Sequence, residues 1–238
     1  ERVSANLSVV PLIDIKEAAI GYMLIIEDIS SEKRVKSTMA RYMTKEIADR
    51  LLSGGAEALG GSAQVASVLF SDIRSFTTLS ESLGPRDTVV MLNEYFTQMI
   101  DVIFKHKGIL DKYIGDAMMA IFGTPFTGER DADNAAAAAN EMIRALRRFN
   151  ERREMLGIPQ IKIGIGVATG ELVAGNIGSP KRMEYTVIGD TVNLASRLEG
   201  TSKFYGVQIV FSEATLGHLK GGGRFRERFP LAVDKSPS

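Results

Sequence analysis

The chain has 238 residues, enough for one substantial domain with a real core and an appendage. Its 29 Lys and Arg balance 29 Asp and Glu, and zero formal charge argues against a bulk nucleic-acid binder, which carries a basic excess. With no Cys, disulfides and thiolate chemistry are excluded, and two His leave little for a histidine-based metal centre.

No apolar stretch reaches the roughly 18 residues that a membrane-spanning helix needs, and no secretory signal is visible. The chain opens at Glu1 rather than Met and stops at Lys235-Ser236-Pro237-Ser238. It is expected to be a fragment of a larger protein, itself soluble or membrane-attached, with this part in the cytoplasm.

Residues 21–29 form a strand-like run too isolated to be a domain. Ser30 to Leu52 reads as a charged helix, with Val35, Met39, Tyr42, Met43 and Ile47 at helical spacing and Lys and Arg on a solvated face. Gly54-Gly55 and Gly60-Gly61 mark a linker, which puts a domain boundary near residue 62. A strand at 65–72 and a short helix at 76–82 follow, and Gly84-Pro85 separates these from a long helix at 86–106. Strands at 109–114 and 117–122 flank Gly115-Asp116, and Asp131 to Met155 reads as helix, its Ala135–Ala139 run favouring close packing. Ile161 to Thr169 alternates as a strand, with Gly164 and Gly166 on the face away from Ile163, Ile165 and Val167. Strands at 171–177 and 184–188, a helix at 190–201, a strand at 207–211 and a short helix complete the readable part. This order predicts an α+β fold, one antiparallel sheet covered by helices on one face.

Asp72 ends the apolar run Val68-Leu69-Phe70-Ser71, and Asp116 sits in the turn of the following hairpin. Two carboxylates at neighbouring strand ends suit hard cations, and hard cations are how proteins usually handle polyphosphates. Taken singly, Asp72 also reads as a helix-capping residue and Asp116 as an ordinary turn residue. Residues Ile73 to Thr77, including Phe76 and Thr77, span a strand-to-helix junction whose backbone N–H groups are ready anion ligands, as at any helix start. Asn193 and Arg197 are four apart, on one face of a helix that Asp190 or Thr191 caps. Such an amide and guanidinium suit a ribose and a transferring phosphoryl group, although Arg197 also reads as a surface ion-pair residue. Lys112 and Thr186 alone read as an exposed strand residue and a strand former, and His106 and His218 as helix-end and surface residues.

Val68-Leu69-Phe70-Ser71-Asp72-Ile73-Arg74-Ser75-Phe76-Thr77, Asp111-Lys112-Tyr113-Ile114-Gly115-Asp116-Ala117 and Tyr185-Thr186-Val187-Ile188-Gly189-Asp190-Thr191-Val192-Asn193-Leu194-Ala195-Ser196-Arg197 resemble the signature segments of the class III adenylate/guanylate cyclase catalytic domain. Gly164-Ile165-Gly166-Val167-Ala168-Thr169-Gly170 resembles another. The resemblance covers residues 63–220 and is closest in character to bacterial and soluble-type adenylyl cyclases. It implies a ferredoxin-like core with an antiparallel sheet and helices packed on one face, extended by a C-terminal α/β subdomain. It also implies a head-to-tail homodimer with active sites between subunits. Asp72 and Asp116 match the family's metal aspartates, with the Ile73 carbonyl as a further ligand, for two Mg²⁺ per site and Mn²⁺ as a substitute. Lys112 matches the lysine that reads the purine. Thr186 stands where many adenylyl cyclases carry Asp and some soluble-type ones Thr. Guanylyl cyclases generally carry Glu and Cys at these two positions, so the pair implies ATP. Asn193 and Arg197 match the ribose-orienting and transition-state residues, supplied by the subunit opposite the aspartates.

The implied reaction converts ATP to 3′,5′-cyclic AMP and diphosphate. Lys235 matches a phosphate-reaching lysine, although the usual basic-glycine context is absent. Thr186 also raises bicarbonate as a regulator, as in part of the soluble-type subfamily. Residues 1–62 resemble the end of a PAS-like domain, Gly21 to Ser30 being its last strand, plus a helical signalling linker, with residues 63–238 as the cyclase domain. Neither a nucleic acid nor a membrane contact is implied for this fragment. The competing readings are a guanylyl cyclase, a polymerase-palm-like enzyme and a non-catalytic or nucleic-acid-binding domain. The palm gives no reason for Asn193 and Arg197 on one late helix. A nucleic-acid-binding sheet wants exposed aromatics and a basic surface, against 7% aromatics and zero net charge here. A degenerate regulatory cyclase lacks some of the six residues, and none is missing.

Overall fold

A computed structural model describes residues 4–13, 19–29, 61–179 and 182–221. The charged helix expected at Ser30 to Leu52 and the candidate Lys235 lie outside the described residues. Strands β1 (Ala5–Ile13) and β2 (Ala19–Asp28) pair antiparallel with each other. Only the second was legible in the sequence, because Pro11 disguises the first; proline is tolerated where one strand edge is free. Leu7, Tyr22 and Ile26 on this pair are all well exposed, and a two-stranded ribbon alone is marginal in water.

The main domain follows as β3 (Ser62–Ile73), α1 (Phe76–Lys105), β4 (Ile109–Ile114), β5 (Ala117–Phe122), α2 (Asp131–Met155), β6 (Ile163–Ser179), β7 (Arg182–Ile188), α3 (Asp190–Phe204), β8 (Ile209–Phe211) and α4 (Glu213–His218). The sheet order is β4-β5-β3-β6-β7, antiparallel throughout, and only the short β8 pairs parallel, alongside Ile165 to Val167 of β6. The α+β class with an antiparallel sheet is therefore the one observed. The two helices expected at 76–82 and 86–106 are the arms of α1, kinked where Gly84 takes φ 75° ahead of Pro85. The strands expected at 161–169 and 171–177 are instead one continuous strand, β6. Gly170 does not turn the chain; it makes room for α3, since a Cβ there would lie 2.7 Å from Thr191 Oγ1.

The alternation along β6 divides the core. Ile163, Ile165 and Val167 pack with Met99 and Ile103 of α1 and Met142 and Leu146 of α2. On the opposite face Gly164, Gly166 and Gly170 lie directly under α3, which belongs to the C-terminal extension. The expected one-sided cover thus holds for α1 and α2, and α3 closes the other side. Covered on both faces, β6 is buried from Ile163 through Thr169. The sheet also curls until its outer strands approach one another. Tyr185 Oη and Thr124 Oγ1 are 2.7 Å apart, and Thr186 on β7 donates to Asp111 on β4 at 3.0 Å. No helix among the described residues is long and apolar enough to cross a membrane.

Two glycine substitutions separate close packing from backbone freedom. A Cβ on Gly166 would sit 2.2 Å from both the Ala195 carbonyl oxygen and the Glu199 nitrogen, so Gly166→Ala is expected to lose about 1–3 kcal/mol in urea unfolding. Gly200 lies inside α3 with nothing within 4 Å of its Cβ position, so Gly200→Ala is expected to gain up to about 1 kcal/mol.

Candidate active site

Strand β3 ends at Ile73, and the chain enters α1 through Ser75, held at φ 56° in the left-handed region that a non-glycine residue occupies only at a cost. Ser75 is the N-cap of α1 and makes no side-chain capping bond, so Asp72 is not the helix cap that its position alone allowed. The half-buried Asp72 faces Gly164 in the β3–β6 register. In the neighbouring hairpin Gly115 takes φ 65°, and the turn presents Asp116 just beyond the β5 residues that pair with Ser71. The Asp116 carboxylate accepts from the backbone N–H of Ile73 and from its own, and lies within hydrogen-bonding reach of the Asp72 carboxylate. Partial burial, and then the adjoining Asp72, push the Asp116 carboxyl up to about 6. Phe76 packs against the core as α1 begins, and Thr77 is exposed.

Two carboxylates pressed together are what a divalent cation relieves, and the all-oxygen donors suit Mg²⁺ or Mn²⁺. Among the described residues no group of three or more His, Cys, Asp or Glu is assembled for a metal. A cation held here would meet two carboxylates plus backbone and ligand oxygens, the sparse set Mg²⁺ accepts beside substrate phosphates.

Two residues that the sequence reading did not single out support this corner. Arg74 donates through Nη2 to Ser202 Oγ at 3.1 Å and to the Val207 carbonyl, tying the β3 end to α3. Glu199 lies over Gly164, where a Cβ would meet its Oε1. Burial raises the Glu199 carboxyl, Asp72 and Asp116 raise it further, and Arg74 opposes them. Glu199 left a signal in the sequence, a charged residue on the glycine-facing side of a helix, whereas Arg74, in the turn after β3, left none.

Lys112 and Thr186 are brought together by the curl of the sheet. Thr186 is 8% exposed and donates from Oγ1 to Asp111 Oδ2. Lys112 Nζ lies 3.5 Å from the same oxygen and 3.6 Å from Glu184 Oε2. Burial raises the Asp111 carboxyl; the Thr186 hydrogen bond and Lys112 pull it back, and Glu184 pushes it up. Asn193 and Arg197 stand on the exposed face of α3, and among the described residues their side chains make no hydrogen bond or ion pair. They are not gathered with the aspartates or with Lys112 and Thr186. Two surface hollows, one lined by Gln64, Ser67, Asp131 and His218 and one by Asn93, Phe96, Asp101 and Tyr113, include none of these candidates.

One chain thus carries a carboxylate pair at a strand end, a Lys–Thr pair at the sheet seam and an Asn–Arg face on a late helix. Residues 61–234 match the adenylate and guanylate cyclase catalytic domain. The chain belongs to that family. It is 36% identical over 202 residues to adenylate cyclase 1 of Rhizobium meliloti (strain 1021), a match that covers 84% of this chain and 30% of that protein. The crystal structure of the guanylyl cyclase Cya2 is similar at 40% identity and a TM-score of 0.64, over 73% of this chain and 89% of that one. The adenylyl cyclase CyaB from P. aeruginosa is similar at 36% identity and a TM-score of 0.64, over 67% and 82%. The chain is therefore a class III nucleotidyl cyclase catalytic domain. Its similar proteins include both adenylyl and guanylyl cyclases, so the likeness by itself does not select the nucleotide.

In this cyclase domain the aspartate pair carries a measurable cost. A carboxyl raised above its unfolded value reduces stability where it must be charged, so the penalty is full above about pH 6, fades as the pH falls from there, and is gone below the ordinary carboxylate range. In chelator-treated protein, Asp116→Asn is expected to raise Tm at about pH 8, with the gain shrinking as the pH falls toward about 4. A lower Tm for the variant at the higher pH contradicts the crowding.

Proposed function

We propose that this domain is an adenylate cyclase, converting ATP to 3′,5′-cyclic AMP and diphosphate at a composite site shared by two copies of the chain. The observation that carries the choice of ATP is the meeting of Lys112 and Thr186 at the seam between β4 and β7. The cyclase resemblance gives this pair to adenine. One observation favours GTP instead, the 40% identity with a guanylyl cyclase, and substrate turnover decides between the two.

Asp72, Asp116 and the Ile73 carbonyl would hold two divalent cations. Such cations acidify a ribose hydroxyl and neutralise phosphate charge. The uncapped N–H groups of the first turn of α1, at Phe76 and Thr77, would receive phosphate oxygens, with Lys235 as a further phosphate contact. Lys112 and Thr186 would hold the base in register. Asn193 would orient the ribose, and Arg197, a fixed planar cation, would offset charge on the phosphoryl group as its bond to diphosphate breaks. No side chain is assigned as general base.

The outward stance of Asn193 and Arg197 supports a site completed by a second copy. So do the exposed Tyr113, Ile114 and Ile188, apolar residues on the elements that carry the candidates. Because one chain carries both sets, a homodimer would form two sites. Residues 1–62 are read as the end of a PAS-like domain with its signalling helix, a reading consistent with the exposed apolar faces of β1 and β2. Bicarbonate stimulation, the regulatory expectation attached to Thr186, is removed if rates stay flat on adding bicarbonate at fixed pH.

Purified protein with Mg²⁺ is expected to form cyclic AMP from ATP, with GTP a poor substrate, and specific activity is expected to rise with protein concentration. Asp72→Ala is expected to lose at least about 100-fold in kcat while keeping the wild-type Tm within a few degrees. Wild-type turnover in that variant sinks the metal assignment, and equal turnover of ATP and GTP sinks the adenylate reading.

A further inference from the structure

Asp111 is the extra residue of a β-bulge. Leu110 pairs with Ala120 and Lys112 with Met119, neighbours on β5, so Asp111 has no partner of its own across the ladder. Bulges re-aim a side chain, and this one sends the Asp111 carboxylate inward to full burial at the sheet seam. There Oδ2 accepts from Thr186, while among the described residues the buried Oδ1 has no hydrogen-bond partner. A buried acceptor left unmet is costly, and an apolar side chain at the bulge would avoid the penalty. The fold carries that cost at the place where the two base-reading candidates meet.

The consequence lies in the hydroxyl of Thr186. A hydroxyl has one hydrogen to donate and two lone pairs with which to accept, so by itself it meets a donor or an acceptor equally well. When its hydrogen is committed to a carboxylate, only lone pairs remain for anything else. The 6-position of adenine is an amino donor, and that of guanine is an oxo acceptor. We propose that Asp111 is a specificity-determining positioning residue: by holding the Thr186 hydrogen it makes the hydroxyl an obligate acceptor, which welcomes the 6-amino group of adenine and rejects the 6-oxo group of guanine. Lys112, anchored by Asp111 and Glu184, supplies the complementary donor for the ring nitrogen beside it. Threonine, neutral and ambivalent, thereby does the work of a carboxylate because a carboxylate stands behind it.

This inference rests on the adenylate reading above, and the test separates the two. In Asp111→Asn the amide can turn its NH₂ toward Thr186, freeing the hydroxyl hydrogen for a guanine oxygen. The ratio of kcat/KM for ATP to that for GTP is expected to fall about tenfold or more, with the absolute kcat/KM for GTP rising. A merely structural defect lowers both nucleotides together and cannot raise GTP turnover. Thr186→Val, which leaves Asp111 in place, is expected to lower the same ratio, and adding Asp111→Asn to it is expected to lower it no further. If wild type prefers ATP and both nucleotides fall in parallel in Asp111→Asn, the proposal is overturned and the adenylate reading stands. If wild type shows no preference for ATP, both are overturned.

Discussion

The direct contact of α3 with β6 is the constraint on which the candidate site depends. Gly164, Gly166 and Gly170 share one face of β6, and side chains there would collide with Glu199 and Ser202, with the α3 backbone, or with Thr191. Without them the helix lies against the strand itself. That approach delivers Glu199 and Ser202 to the corner where β3 ends after Asp72 and Arg74 follows, and it leaves Asn193 and Arg197 on the outer side of the same helix. Lifting α3 by even one methyl group would disturb the support of the aspartates and the aim of the two outward residues together.

The second organising feature is the curl of the sheet, which turns two distant edges into neighbours. Asp111, Asp116 and Glu199 are all held above the ordinary carboxylate range, chiefly by burial. They sit at the two places where the proposed function needs oxygen acceptors, the strand end for cations and the seam for a base. Stability is given up where the proposed ligands would restore it, the usual relation between strained groups and functional sites.

Much of the fold was legible because the patterns were local. Strands β4 and β5 and helix α2 fall on the residues expected from periodicity, with Gly115-Asp116 as the turn between the strands. The division of β6 failed because one strand was ended at Thr169 and the next begun at Glu171, whereas Gly170 lies within a single strand and accommodates a helix arriving from later in the chain. Asp72 and Asp116 could be picked out because apolar runs end in carboxylates. Lys112 and Thr186 could not be joined by pattern alone, since each is an ordinary strand residue until the sheet curls. Asp111 was overlooked for a related reason: a bulge belongs to the pairing of two strands and leaves no periodic trace in one of them. Arg74 reaches across to α3, and Glu199 reaches from α3 toward the aspartates, pairings distant in the chain that no local pattern reveals.

The proposed composite site makes a demand that no single-chain site makes. One copy would supply Asp72 and Asp116, and the other Arg197, so defects in the two sets should complement. The most direct measurement mixes Asp72→Ala chains with Arg197→Ala chains, each inactive alone, and follows cyclic AMP production. Random pairing makes half the dimers mixed, each with one intact site of two, so recovery to about a quarter of wild-type activity is expected. A mixture no more active than its components, with dimers exchanging normally, would contradict the shared site.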